Sequence, residues 1–78
     1  MRITILGTGS QHCIALKEQI EHLLVRHQRT AEIKIENDID TIATYDVNIT
    51  PAIVCNGVIC YDKGYPISMQ QLERILLG

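Results

Sequence analysis

The sequence predicts an α/β fold with the element order β-α-β-α-β-β-α, in which helices cover both faces of a four-stranded mixed sheet. Three observations lead to this prediction. An apolar strand, a glycine turn and a long helical pattern follow one another over residues 2–28. The pair Asn56-Gly57 divides two short apolar runs, which is typical of a two-residue β-hairpin. Ser68 and Gln71 form a capping-box pattern before a last amphipathic helix.

Length and composition indicate the class of protein. A chain of 78 residues supports one small core, so we expect a single domain over residues 1–78. With a net charge of −2, the chain lacks the basic excess that nucleic-acid binding needs. The apolar start, Met1 to Leu6, is too short for a signal peptide or a membrane span, so we expect no membrane partner. Three cysteines cannot all pair in one chain, and we expect reduced thiols in a cytoplasmic protein.

The first half of the chain predicts a β-α-β unit. Apolar residues fall on both faces of Arg2 to Leu6, as a strand covered on both sides requires. Helical spacing over about Ser10 to Gln28 predicts the first helix, with its apolar positions at Leu16, Ile20, Leu23 and Leu24. Residues 32–36 alternate apolar with charged side chains, which indicates a strand near a sheet edge. We expect this unit to cross over in the right-handed sense, with its two strands parallel.

The second half predicts a short helix, a hairpin and a last helix. Asp38 or Asn37 caps the short helix, which ends near Tyr45 and has apolar positions at Ile39, Ile42 and Ala43. Residues 52–55 and 58–61 are predicted to be antiparallel strands, because Asn-Gly tolerates the positive φ angles of a type I′ turn. The last helix follows Ser68.

The stretch "GTGSQHC", residues 7–13, leaves a strand and opens a helix, where unpaired backbone N–H groups can hold an anion. Gly7-x-Gly9 begins a dinucleotide-binding fingerprint, and Glu36 lies where that fold places a ribose-binding acid. However, His12 occupies the third glycine position. The predicted hairpin also lies where a second parallel crossover is needed. The dinucleotide hypothesis is therefore the weaker one.

A second interpretation of the same stretch starts from Ser10 and Cys13, which are three residues apart and share a helix face. A cysteine at position 10 would complete a Cys-x-x-Cys motif at a helix N-terminus, where N–H groups stabilise a thiolate. Serine cannot perform that redox chemistry. Two plainer roles stay open: Ser10 as an N-cap whose hydroxyl accepts an N–H bond, and Cys13 as a small buried apolar residue.

The segment "ITILGTGSQHC" resembles the start of the small thioredoxin-like, glutaredoxin-sized redox proteins of archaea and bacteria. In that family a strand leads through Gly-Thr-Gly into Cys-x-x-Cys. Downstream, "YDVNITPAIVCNG" (residues 45–57) is similar to the family's Tyr-Gly-Val, Thr-cis-Pro, apolar strand and Asn-Gly turn, and Gly64 also matches. The likeness covers essentially the whole chain. It implies a thioredoxin-like fold and a thiol-disulfide oxidoreductase that needs no cofactor.

The departure from the family lies at the first motif position. There the resemblance implies that the first cysteine is the nucleophile and the second resolves the mixed disulfide; here these positions are Ser10 and Cys13. The motif cannot run a dithiol cycle in this chain, and natural loss or a deliberate Cys→Ser change both explain it. His12 is expected to favour a neighbouring thiolate when its ring is protonated. We also expect Cys13, at a helix start near a surface turn, to be the most reactive cysteine.

The resemblance further implies a substrate ledge at Thr50 and Pro51. It implies a cis bond at Pro51, with Thr50 offering backbone groups to an extended substrate by strand addition. The expected partners are a disulfide-bearing protein or a small thiol, with a thiol reductase as electron donor. The alternative is a non-catalytic module that binds an extended peptide or a thiol ligand between Ser10 and Pro51.

Cys55 and Cys60 are predicted on one face of the hairpin, with Cys55 opposite Val58 and Cys60 opposite Ile53. Together with His12 and Cys13 they raise the hypothesis of a zinc site. No two-residue cysteine spacing supports it, and the hairpin residues continue an apolar pattern. Core packing is therefore the favoured role of both residues, and no metal site is predicted.

Overall fold

A computed structural model describes residues 1–78 and contains four strands and three helices in the predicted order. In chain order these elements are β1 (Arg2–Leu6), α1 (Gln11–Arg26), β2 (Glu32–Glu36), α2 (Ile39–Thr44), β3 (Ala52–Cys55), β4 (Val58–Tyr61) and α3 (Met69–Leu76). The first helix is shorter than the apolar pattern predicts. It ends at Arg26 because Gln28 takes a positive φ of 55°, which cannot continue a right-handed helix.

The sheet has the strand order β2-β1-β3-β4. β1 is parallel to β2 and antiparallel to β3, and β3 is antiparallel to β4, so the predicted mixed sheet is confirmed. The parallel pair follows from the crossover through α1, whereas a two-residue turn allows only an antiparallel pair. The register of β1 and β3 sets Leu6 beside Ala52. The residues that follow β1 therefore lie next to those that precede β3.

The larger core lies on the sheet face that α1 and α3 cover. Ile3, Ile5 and Ile53 project from the sheet into it, and all three are almost completely buried. The helices supply the facing side chains, with Leu16 and Ile20 from α1 and Leu72 and Leu76 from α3. Each such aliphatic side chain contributes about 1.5–3 kcal/mol by leaving water. This packing fixes α1, and with it the start of that helix, against the sheet.

The opposite face carries a smaller core of Leu6, Ala52 and Val54. Ile42 of α2 and the following Tyr45 pack against it, so helices cover both faces as predicted. The prediction of an inward-facing Ile39 is wrong, because that side chain is 70% exposed. Only the C-terminal end of this six-residue helix reaches the sheet, and no residue of α2 is fully buried.

Side chains cap two of the helices as predicted. Asp38 accepts a hydrogen bond from the backbone N–H of Asp40 at 3.0 Å at the start of α2. Ser68 and Gln71 form the reciprocal capping box of α3. No helix combines the length and the apolar character needed to cross a lipid bilayer.

The β3–β4 hairpin turns at Asn56 and Gly57, whose φ angles are 51° and 85°, as a type I′ turn requires. Its register corrects one prediction. Cys55 pairs with Val58 as expected, but a β-bulge makes Ile53 pair with Tyr61 and not with Cys60. A bulge inserts one unpaired residue into a strand, and here that residue is Cys60.

Candidate functional site

The glycine turn after β1 meets the residues before β3 at Gly7. A Cβ atom on Gly7 would overlap the Sγ atom of Cys13 and would lie 3.8 Å from the Cα of Pro51. Glycine is therefore the residue that lets the turn pass between the Cys13 thiol and Pro51. The packing brings together three of the positions that the sequence singled out: the glycine turn, Cys13 and Pro51.

Ser10 lies at the N-cap of α1, with an extended backbone (φ −70°, ψ 167°). The expectation that its hydroxyl caps the helix is wrong, because the side chain makes no cap hydrogen bond. The Oγ atom lies instead 3.9 Å from the Sγ of Cys13 and is oriented to donate to it. The backbone carbonyl of Ser10 accepts from the Cys13 N–H at 3.0 Å. The two side chains of the Ser-x-x-Cys motif therefore face each other.

Electrostatics at the start of α1 favour a negative charge. The first turn of a helix presents unpaired N–H groups and the positive end of the macrodipole. No acidic residue lies in this first turn to offset that potential. A thiolate at position 10 would be stabilised there, whereas the neutral Ser10 hydroxyl draws little benefit from it.

Cys13 is buried, which agrees with its plainer role as a small apolar residue of the core. Its side chain is only 1% exposed and belongs to the larger core, because α1 turns this position toward the sheet. The thiol faces the Ser10 hydroxyl and lies next to Gly7, and its burial means that a reagent reaches it by local opening of the structure. This burial argues against the expectation that Cys13 is the most reactive cysteine.

We predict that Cys13 reacts more slowly than Cys55 with iodoacetamide under native conditions. Burial excludes the reagent, so its rate should be at least about tenfold below that of Cys55. Timed alkylation followed by peptide mass spectrometry measures the three rates separately. In denaturant the difference should vanish; a fast Cys13 in the folded protein would contradict the buried placement.

The ring of His12 is stacked on Tyr65, with 4.8 Å between ring centroids and 20° between the planes. Tyr65 belongs to the loop before α3, where Gly64 adopts a φ of 80° and accepts a hydrogen bond from the Tyr61 hydroxyl at 2.7 Å. This loop forms a wall beside the first turn of α1. The structural partner of His12 is thus an aromatic ring on that wall.

Thr50 and Pro51 lie at the amino end of β3. The Thr50–Pro51 and Tyr65–Pro66 peptide bonds are both cis. Pro51 is buried, whereas Thr50 is exposed and takes part in none of the loop backbone hydrogen bonds. Ile49 forms an isolated bridge with Lys63, which ties this segment to the loop that carries Gly64. Thr50 therefore presents free backbone groups at the edge of the site.

The residues of the two rejected hypotheses lie apart. Glu36 accepts a hydrogen bond from the Asp38 N–H at 3.2 Å, so its carboxylate contacts the start of α2. Cys55 pairs with Ile3 near the start of β1, whereas Cys13 contacts the turn beyond its end. The four candidate zinc ligands are consequently not brought together, and nowhere do three His, Cys, Asp or Glu side chains converge.

The hairpin contains a close thiol pair that the sequence pattern does not predict. The Sγ atoms of Cys55 and Cys60 are only 2.9 Å apart, and both cysteines are free. Placement on one face of a hairpin was the available signal, but the bulge that brings the thiols into contact is not visible in the residue pattern. This pair lies at the other end of the sheet from Ser10.

The element order, the mixed sheet and a Ser-x-x-Cys motif at the start of the first helix together define a thioredoxin-like domain. Comparison with known families agrees: a model of the thioredoxin domain matches residues 1–77. The chain therefore belongs to the thioredoxin-domain family. No curated protein matches it.

Proposed function

We propose that the chain is a thiol-disulfide oxidoreductase scaffold, of the small glutaredoxin-sized kind found in archaea and bacteria, in which serine replaces the nucleophilic cysteine. The observation that carries this proposal is the 3.9 Å approach of the Ser10 Oγ to the Cys13 Sγ at a helix N-terminus. Two sulfur atoms at these positions would be within reach of a disulfide, since residues one turn apart meet its geometric needs with little movement.

Each site residue has a role in this proposal. A thiol at position 10 would attack a substrate disulfide, and the resulting mixed disulfide would be resolved by Cys13, which releases the substrate's second thiol. In the present chain the Ser10 hydroxyl can only donate a hydrogen bond to a bound sulfur. Thr50 supplies the backbone groups for an extended substrate beside Pro51. His12, whose ring is stacked on Tyr65, lies between Ser10 and Cys13 in the motif.

The proposed partners follow from this chemistry. A disulfide-bearing protein or a small thiol occupies the site, and a thiol reductase supplies electrons to the cysteine-containing form. Three unpaired cysteines suit a reducing compartment, so we place the protein in the cytoplasm. Neither a nucleic acid nor a membrane is among the proposed partners.

The second candidate function is a binding module that transfers no electrons. The buried Cys13 favours it, because no exposed thiol remains at the motif once position 10 is serine. The free backbone of Thr50 then captures an extended peptide by itself. Both functions use the same ledge at Thr50 and Pro51. They differ in whether a cysteine at position 10 would give the protein disulfide-reducing activity.

The ledge is tested with an extended peptide that contains cysteine, titrated into the protein and followed by amide NMR shifts. We expect the largest shifts at Thr50 and Ser10. A peptide N-methylated at the residue facing Thr50 is the matched control and should bind at least about fivefold more weakly, because it lacks one backbone hydrogen bond. Equal binding of both peptides, or shifts centred elsewhere on the sheet, would remove Thr50 from the site.

A further inference from the structure

The β3–β4 hairpin contains a pair of thiols that the site around Ser10 does not use. Cys55 and Cys60 lie with their Sγ atoms 2.9 Å apart, which is closer than the van der Waals contact of two unbonded sulfur atoms. Both side chains are half-buried and pack against the core that α3 covers. The hairpin thus holds two nucleophilic atoms in direct contact at a surface that is partly open to solvent.

The β-bulge is what brings the two thiols together. Val54 pairs with Ile59 and Ile53 pairs with Tyr61, so Cys60 has no partner of its own across the hairpin. A bulged residue departs from the regular alternation of the strand and can re-aim its side chain. Here the Cys60 side chain points back toward Cys55 and toward the Ile53 carbonyl oxygen, which lies 3.4 Å from its Sγ.

The surroundings make the two thiols chemically unequal. A carbonyl oxygen beside Cys60 accepts hydrogen bonds, so it favours the protonated form of that thiol. The hydrogen bond from Cys60 lowers the pKa of the Cys55 thiol, against the opposing effect of burial. The same hydrogen bond, then burial and the charge on Cys55, raise the pKa of Cys60. Cys55 is therefore the first of the two thiols to ionise as the pH rises.

Both thiols are partly exposed to solvent, and Cys60 also lines a cleft. A surface cleft of about 340 Å³ opens beside Cys60, with Lys63 and Gln71 on its walls. Asp62 lines the same cleft, so the opposite charges of Lys63 and Asp62 offset each other, and the cleft gives access without attracting an anion. Cys13, in contrast, lies deep in the core and at the other end of β1.

We propose that Cys55 and Cys60 form a second redox site, an oxidisable dithiol that a low-molecular-weight disulfide converts into an intramolecular bond. The Cys55 thiolate attacks one sulfur of the reagent, forming a mixed disulfide and releasing the first small thiol. Cys60 loses its proton to solvent and attacks the Cys55 sulfur, which releases the second small thiol. The protein loses two electrons and two protons, and the reagent is reduced to two thiols. No step involves Ser10 or Cys13.

The chain as it stands tests this proposal. It is incubated with oxidised glutathione, its remaining thiols are blocked, and it is digested with trypsin. Cleavage after Lys34 and Lys63 leaves Cys55 and Cys60 in one peptide, Ile35–Lys63, whereas Cys13 falls in Ile3–Lys17. We expect Ile35–Lys63 to lose the mass of two hydrogen atoms in a monomeric protein, and dithiothreitol to restore it. Two unmodified thiols, two separate glutathione adducts or a bond to Cys13 would each overturn the proposal.

Single variants test the order of attack. Cys60→Ser should accumulate a stable mixed disulfide at Cys55, because the resolving thiol is gone. Cys55→Ser should form its adduct at Cys60 at least about threefold more slowly than Cys60→Ser forms its adduct at Cys55. The expected factor is small because a thiol with a lower pKa is ionised to a larger extent but is a weaker nucleophile as a thiolate. Equal rates would overturn the assignment of Cys55 as nucleophile. Phenylarsine oxide bridges close dithiols, so it should protect both Cys55 and Cys60 of the parent chain from alkylation. It should not protect the one remaining hairpin thiol of either single variant. Equal protection of the parent chain and the variants would overturn the proposal that the two thiols act as a pair.

Discussion

Replacing Ser10 by cysteine should convert the chain into an active disulfide reductase. The new thiol would lie at the N-cap of α1, where free N–H groups favour a thiolate and no carboxylate opposes it. It would face Cys13, which the Ser10 Oγ already approaches to 3.9 Å. We expect reduction of a protein disulfide such as insulin, with dithiothreitol as electron donor, to rise at least about a hundredfold above the parent chain.

The controls for this prediction separate the motif from the rest of the chain. Ser10→Ala should be as inactive as the parent, and Ser10→Cys combined with Cys13→Ala should stop at a mixed disulfide. Repeating the assay with Cys55 and Cys60 both changed to serine removes any contribution from the hairpin pair. Tryptic peptide Ile3–Lys17 holds positions 10 and 13 and reports their bond. If Ser10→Cys forms no such bond, or forms one without gaining activity, the binding-module function replaces catalysis.

Most of the fold was predictable because local signals agree with the tertiary structure. The helical spacing of Leu16 and Ile20 is the face of α1 that the core buries. Asn56 and Gly57 adopt the positive φ angles that their residue types favour. Charged residues alternating with apolar ones mark β2 as the sheet edge it is. Each of these features depends on a few neighbouring residues, which is the range over which sequence patterns are informative.

The geometry of the site was less predictable because it depends on distant packing. Both Ser10 and Cys13 were recognised from their spacing, yet the depth of Cys13 is set by how α1 rests on the sheet. Serine is a favoured capping residue, but the Ser10 hydroxyl turns toward a sulfur instead. The contact between Cys55 and Cys60 requires a bulge, and a one-residue insertion in strand pairing leaves no mark in an apolar pattern.

Gly7→Ala should destabilise the protein by about 1–3 kcal/mol, the usual cost of overpacking a tight site. The backbone at Gly7 has no positive φ, so alanine is not excluded by strain there. The cost arises instead because the added methyl group overlaps the Sγ of Cys13. Chemical denaturation with urea measures the loss in the free energy of unfolding.

A double-mutant cycle identifies that contact as the cause. Cys13→Ala removes the obstructing sulfur, so Gly7→Ala should cost about 1–2 kcal/mol less in that background than in the parent chain. Gly57→Ala is the matched control. Gly57 has a φ of 85° and nothing within 4 Å of an added Cβ, so its substitution costs backbone strain alone. That cost should be the same, within about 0.5 kcal/mol, whether or not Cys13 is present. If the two Gly7→Ala costs are also equal, the Cys13 thiol does not lie against the glycine turn, and the motif is not assembled as described.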